Sequence, residues 1–326
     1  MSQKGLDRRS VIVAASGLGL GLMTAPALAQ GFPVPQGFVR FPLWKGKAPG
    51  SERVTVKQEE GLRTPASPVD DTFFAHIVTP TLTMLRPARP NGAAMLLIPG
   101  GGYRRVAIGK EGYAIARRFA QAGYTCFILL YRLPADGWAA GTEAPLQDAQ
   151  RALRMVRNMA AKEGFDGNRI GVMGFSAGGH LAAWLTSRAP VETYRPADAI
   201  DKEPLHTNVA ALMYPVIQME GGFVHAGSRT ELLGATPSVD RMKIYSMDQM
   251  VAQQTPPTFL AHAIDDKTVP VENSLSMLAS LRAGAIPAEC HLFETGGHGF
   301  GLTMGPEAAP AQWPELFLAF AKRHGV

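Results

Sequence analysis

The sequence predicts an α/β fold, a mainly parallel central sheet with helices on both faces, and three observations carry that expectation. Short apolar runs alternate with segments of helical spacing, the order that a parallel sheet crossed by helices produces. The 326 residues are 46% hydrophobic and 18% charged, enough to build one sizeable core. Between an apolar strand-like run at 169–173 and a helical run at 180–185 stands Gly174-Phe175-Ser176-Ala177-Gly178-Gly179. A G-x-S-x-G turn between strand and helix lifts its serine above the sheet edge.

In chain order, residues 1–29 read as a twin-arginine export signal. Arg8 and Arg9 precede a soft apolar stretch from Val11 to Met23, and Ala27-Leu28-Ala29 supplies a small-x-small cleavage site. Val11-Ile12 departs from the Phe-Leu such signals prefer. The stretch is shorter than the roughly 20 residues that span a bilayer, so no membrane span is expected. Cleavage would leave a chain starting near Gln30, exported through the twin-arginine machinery to the periplasm or beyond.

Residues 30–53 are rich in Pro and Gly and are expected to be irregular, lying over a catalytic domain of residues 54–326. Residues 54–56, 73–78 and 82–85 read as edge strands, and 93–98 as a central strand. A helix over 113–121 stops at Gly123, a strand follows over 126–131, and 145–162 is a long amphipathic helix. Then come strand 170–174, helix 178–187, strands 209–213 and 258–263, helix 274–281, strand 290–293 and helix 315–322. Residues 187–208 and 214–256 carry weak periodicity and many turn formers. They are expected to sit above the C-terminal edge of the sheet and shape a pocket.

The formal charge is +5, of which Lys4, Arg8 and Arg9 against Asp7 supply two at the extreme N-terminus. The remainder is too weak and scattered for a nucleic-acid footprint. Cys126 and Cys290 lie in strand patterns and read as small buried hydrophobes, outside any metal-ligand spacing. No metal cluster, P-loop or dinucleotide fingerprint occurs, so no cofactor is expected.

A serine hydroxyl needs a base, and the base an orienting acid. Downstream of Ser176, strand 258–263 runs into Asp265-Asp266-Lys267-Thr268-Val269-Pro270, and strand 290–293 runs into Gly296-Gly297-His298-Gly299. The order Ser176, Asp266, His298 makes these the expected nucleophile, acid and base. Asp265 stands as the alternative acid, with a helix cap as the bland role for one of the pair. Of the other histidines, His180, His262 and His291 read as packed and hydrogen-bonded, His76 as an edge-strand residue, and His206, His225 and His324 lack context. Pro99-Gly100-Gly101-Gly102-Tyr103 follows the expected central strand, so the N–H groups of Gly101, Gly102 and Ala177 are the candidates to bind a developing oxyanion. Asp148 and Arg151, one helical turn apart, read as structural supports for the loop after Tyr131-Arg132-Leu133.

Together these motifs resemble the α/β-hydrolase superfamily over about residues 87–300, and its lipase/esterase and acetyl-xylan-esterase-like branch in particular. Pro99 stands where many such esterases carry histidine. The resemblance implies a serine esterase that removes short acyl groups, acetate first, from a small-molecule or oligosaccharide ester by way of an acyl-enzyme. A serine peptidase of the same fold and a non-catalytic binding protein are the alternatives.

Overall fold

The computed structural model describes residues 34–62, 64, 67, 71–187 and 191–326, and the export signal read over residues 1–29 lies outside them. In chain order the elements are β1 (Phe38–Pro42), β2 (Glu59–Leu62), β3 (Thr72–Ala75), β4 (Thr81–Leu85), β5 (Ala94–Ile98), α1 (Ile115–Gln121), β6 (Thr125–Leu130), α2 (Ala144–Glu163), β7 (Ile170–Phe175), α3 (Ala177–Ser187), β8 (Val209–Met213), α4 (Ala226–Leu233), α5 (Val239–Ile244), β9 (Thr258–Ala263), α6 (Glu272–Ala283), β10 (Ala288–Phe293) and α7 (Trp313–Arg323). A π-helical turn, Gly109–Ala114, leads into α1.

The central sheet has eight strands in the order β1-β4-β6-β5-β7-β8-β9-β10. All pairs from β6 to β10 are parallel, while β4 and β1 add antiparallel at the β6 edge. Every residue of β5, β6, β7, β8 and β9 is buried, as parallel strands covered on both faces must be. Consecutive residues of β7 show the two covers. A Cβ on Gly174 would meet Gly178 and Ala182 of α3, whereas the Phe175 ring packs on Trp313 of α7. Neighbouring strand residues point to opposite faces, so α3 and α7 lie on opposite sides of the sheet. Phe119 of α1 stacks with Trp313 and Phe317 and so joins α7's side.

Several local expectations need correction. Residues 38–42, read as irregular, form β1. It is an edge strand, where Pro42 removes no ladder donor from a central position. Residues 54–56, read as a strand, are irregular, because no neighbouring strand offers them a ladder. β3 pairs with β2 in a separate two-stranded sheet. The segment after β1 is tied down rather than draped. Trp44 is buried, and its indole N–H donates to Asp148 Oδ1 at 2.7 Å. Asp148 also takes the Arg132 guanidinium and the Arg132 N–H (2.8 Å), with both side chains fully buried. Arg151, expected to support the loop after Tyr131-Arg132-Leu133, instead helps tie the segment after β1, its Nε–H donating to Leu43 O (3.0 Å), and its guanidinium reaches Asp198 (2.7 Å) and Asp201 (2.9 Å).

That last contact shows where residues 191–208 go. Gln147 and Gln150 of α2 donate to the carbonyls of Thr193 and Val191, Arg154 to that of Glu203, and Arg157 to those of Pro204 and His206. A row of long cationic and amide side chains on α2 draws this segment over the helix, and none of it lines the pocket. Cys126 and Cys290 are both free thiols, the first buried. Among the described residues no helix is long and apolar enough to cross a membrane.

Candidate active site

The loops after β5, β7, β9 and β10 meet at the C-terminal edge of the sheet, and each brings one part of the site. At the end of β7 the chain turns into α3 through Ser176, whose φ of +53° is a strained value for a residue with a side chain. The turn is tight enough that only glycine fits on either side. A Cβ on Gly174 would stand on the Gly178 carbonyl, and one on Gly178 on the Ile98 carbonyl. Hydrogen bonds over-determine the strained residue. Its N–H donates to Met213 O (2.9 Å), and its carbonyl accepts from Gly179 (2.9 Å) and Val216 (3.0 Å).

Ser176 Oγ lies 2.9 Å from His298 Nε2, and His298 Nδ1 lies 2.7 Å from Asp266 Oδ2. Asp266 follows β9, its side chain wholly buried. Burial pushes its pKa up, but hydrogen bonds from His262 and His298, the charge of His298 and a backbone N–H outweigh burial and hold the carboxyl well below its usual range. It is therefore ionised at neutral pH and accepts from His298 Nδ1–H. That fixes the tautomer and leaves Nε2 free to accept the Ser176 proton. Asp266 Oδ1 takes the N–H groups of Thr268 (2.8 Å) and Val269 (3.0 Å). On Oδ2 it also receives His262 Nε2–H at 3.2 Å. The expected packing role for His262 thus includes steering the acid.

Asp265 faces the other way. It is exposed, and its Oδ1 accepts the Gly297 N–H at 2.8 Å, so the neighbouring carboxylate anchors the loop that carries His298. Trp313 Nε1–H anchors the far side of that loop on Gly301 O at 2.7 Å. The Tyr214 ring packs edge-on against His298 at 5.3 Å.

After β5, Gly101 and Gly102 line a cavity of about 360 Å³ together with Ser176 and His298. Their N–H groups, and that of Ala177 at the start of α3, donate to no described residue. Ala177 is fully buried and is not among the residues that line the cavity. The loop is braced from below by Glu111, a buried carboxylate on the π-helical turn. Its Oε2 accepts the Gly100 N–H at 2.7 Å and its Oε1 the Tyr214 hydroxyl at 3.1 Å. One side chain thus connects the glycine loop to the residue that packs on His298.

Local reading of the sequence missed Glu111, Tyr214 and His225. His225 precedes α4, in the 214–256 segment expected to shape the pocket, and it does line the cavity. Its pattern with Ser228, three residues on at a helix start, was the one local cue. His180, expected to be packed, is fully buried. Its Nε2–H donates to Tyr245 O (2.8 Å), and its Nδ1 accepts from Tyr103 Oη–H (2.8 Å). Among the described residues no group of His, Cys, Asp and Glu could hold a metal ion.

With this geometry in view, comparison with known proteins is informative. The BD-FAE family model matches residues 85–281, a stretch containing Ser176 and Asp266 that stops before His298. The chain is 35% identical over 225 residues to endo-1,4-beta-xylanase B of Butyrivibrio fibrisolvens, covering 67% of this chain and 34% of that protein. It is 32% identical over 219 residues to an acetylxylan esterase of Xylanibacter ruminicola, covering 66% of this chain and 42% of that one. The chain thus spans less than half the length of either relative. Among solved structures, the acetyl ester-xyloside bifunctional hydrolase of Caldicellulosiruptor lactoaceticus superposes with a TM-score of 0.71 at 33% identity, covering 89% of this chain and 97% of that one. A propionate-bound esterase of Thermogutta terrifontis gives 0.63 at 26% identity, with 76% and 90% covered. The parallel sheet, the serine turn after β7 and the matched family model agree, and the chain belongs to the BD-FAE family of α/β-hydrolase type.

Proposed function

We propose that this protein is a serine ester hydrolase that removes short acyl groups, acetyl first, from carbohydrate esters. The observation that carries the reading is the unbroken relay from Ser176 Oγ through His298 to buried, ionised Asp266, opening on a cavity beside unpaired N–H groups. His298 Nε2 takes the Ser176 proton as Oγ attacks the ester carbonyl, and Asp266 stabilises the imidazolium that forms. The carbonyl oxygen, negative in the tetrahedral intermediate, takes hydrogen bonds from among Gly101, Gly102 and Ala177. Collapse returns the proton from His298 to the departing alcohol and leaves acyl-Ser176. Water, deprotonated by His298, then attacks that ester, and the acid leaves as Ser176 is reprotonated.

The names of the relatives support the substrate class, since they include an acetylxylan esterase and an acetyl ester-xyloside hydrolase. Charged and hydrogen-bonding side chains, among them Arg105, Lys110, His225, Glu231 and Thr268, line the cavity, which suits a hydroxylated substrate better than a lipid. Full-length protein should release acetate from acetylated xylo-oligosaccharides. The Ser176→Ala variant should lose more than about 10³-fold in kcat, since the nucleophile acts as a unit with its base. Equal rates in the two proteins would remove Ser176 from the chemistry. The twin-arginine pair and Ala27-Leu28-Ala29 support export, and a periplasmic or secreted product should begin near Gln30 on N-terminal sequencing. Retention of residues 1–29 in the exported protein would refute cleavage there.

A further inference from the structure

The cavity holds polar groups that cleavage of a short acyl ester does not use. His225 Nδ1 accepts the Ser228 N–H at 3.1 Å, capping α4, and lies 2.8 Å from Ser228 Oγ. An imidazole nitrogen that accepts from a backbone N–H carries no proton, so the proton of neutral His225 sits on Nε2. That nitrogen bonds no described residue, although the side chain lines the same cavity as Ser176. Burial, and then the charge of His298, hold the His225 pKa below its usual value, which keeps it neutral at pH 7. The ring sits opposite the glycine loop, where a Cβ on Gly102 would stand 3.9 Å from His225 Cε1. Glu231, on the same helix, and Arg104, in the loop after β5, also line the cavity, and neither side chain has a described partner.

An acetyl group has one polar atom, its carbonyl oxygen, and the backbone N–H groups take that. The remaining donors and acceptors can therefore meet only the alcohol half of the ester. We propose that His225 is a substrate-binding residue whose Nε2–H donates to a hydroxyl of the sugar leaving group, with Glu231 accepting from a neighbouring hydroxyl. The inference rests on the carbohydrate-esterase reading and deepens it. The acyl half is recognised by the sheet-edge loops and the alcohol half by the start of α4.

The test compares acetylated xylotetraose with phenyl acetate, whose alcohol half has no polar atom beyond the ester oxygen. His225→Phe keeps a ring but removes the donor, and should raise KM for the sugar ester roughly tenfold while leaving phenyl acetate within about twofold. His225 also caps α4, so His225→Asn serves as the control, because Asn restores a capping acceptor and still lacks Nε2–H. Failure of both variants on the sugar ester supports binding, whereas rescue by Asn would assign His225 to the cap alone and overturn the proposal. Unchanged or equal losses on both esters overturn it as well. Wild-type enzyme that cleaves phenyl acetate and not the sugar ester would instead defeat the substrate reading. In that case titration calorimetry of xylotetraose against Ser176→Ala and Ser176→Ala/His225→Phe still decides. Weaker binding in the double variant supports the subsite, and equal or absent binding overturns it.

Discussion

The two walls of the cavity are built differently. One wall is the row of loops after β5, β7, β9 and β10, where Gly101, Ser176, Asp266 and His298 each stand a few residues beyond a parallel strand, buried in the first three and half-buried at the β10 edge. The ladder fixes those strand ends, and the side chains of Ser176, Asp266 and His298 there are bonded to one another or to backbone N–H groups. The other wall is the start of α4, in the 214–256 segment, which is held by side-chain bonds to other parts of the chain. Asn273 Oδ1 takes the N–H groups of Ile217 and Gln218, Asn273 Nδ2 donates to Phe223 O, and Tyr245 donates to Glu143. Its cavity-facing groups, His225 Nε2 and Glu231, have no described partner. In the proposed reaction, chemistry common to any ester falls to the wall set by the strand ends, and choice of alcohol to the wall whose side chains are still available.

That division breaks most visibly at Asp266. Asp266→Asn keeps the size of the side chain but removes the ionised acceptor, and the amide can donate to His298 and favour the wrong tautomer. The expected loss in kcat is roughly 10⁴-fold, the scale seen when the acid of a serine triad is made an amide. It should be the same for phenyl acetate and for acetylated xylotetraose, because in the proposed reaction Asp266 acts on His298 and not on the alcohol. Steady-state kinetics on both esters measures it. A loss confined to the sugar ester would contradict the division of labour between the walls.

The two walls also differ in how far the sequence discloses them. Gly174-Phe175-Ser176-Ala177-Gly178 is legible because a strained turn, a buried strand and a helix are all specified within a dozen residues. Asp265 and Asp266 are adjacent and chemically identical, so their order along the chain does not separate them. What separates them is the turn in which the Thr268 and Val269 N–H groups hold Asp266 inward, leaving Asp265 to reach Gly297. β1 is hidden because Phe38-Val39-Arg40-Phe41-Pro42 becomes a strand only when β4 offers its edge. Residues 191–208 look like pocket material until the arginines of α2 claim them. Glu111 and His225 act through contacts with residues about ten to a hundred positions away or through space across the cavity, and no local pattern encodes such distances.

His180 also joins the walls, as Glu111 does, and its burial makes its joint sensitive to pH. His180, on α3, holds the glycine loop through Tyr103 and the 214–256 segment through the Tyr245 carbonyl. A carbonyl can only accept, so neutral His180 carries its proton on Nε2 and offers Nδ1 to Tyr103. Burial lowers its pKa from 6.5 to about 4, the Tyr245 bond opposing the shift. The folded state therefore binds this proton less readily than the unfolded chain does. Its contribution is fully present above pH 6.5 and is lost as pH falls through about 4, a swing of about 3 kcal/mol. Denaturant titrations between pH 7 and pH 4 should show that loss in the wild type and a shallower slope in His180→Gln, which has no group to titrate. Parallel slopes would remove His180 as the titrating joint. A difference in slope would place the acid-sensitive seam between the wall proposed to cleave the ester and the wall proposed to read its alcohol, so selectivity for the sugar ester should fade before phenyl acetate turnover as pH is lowered.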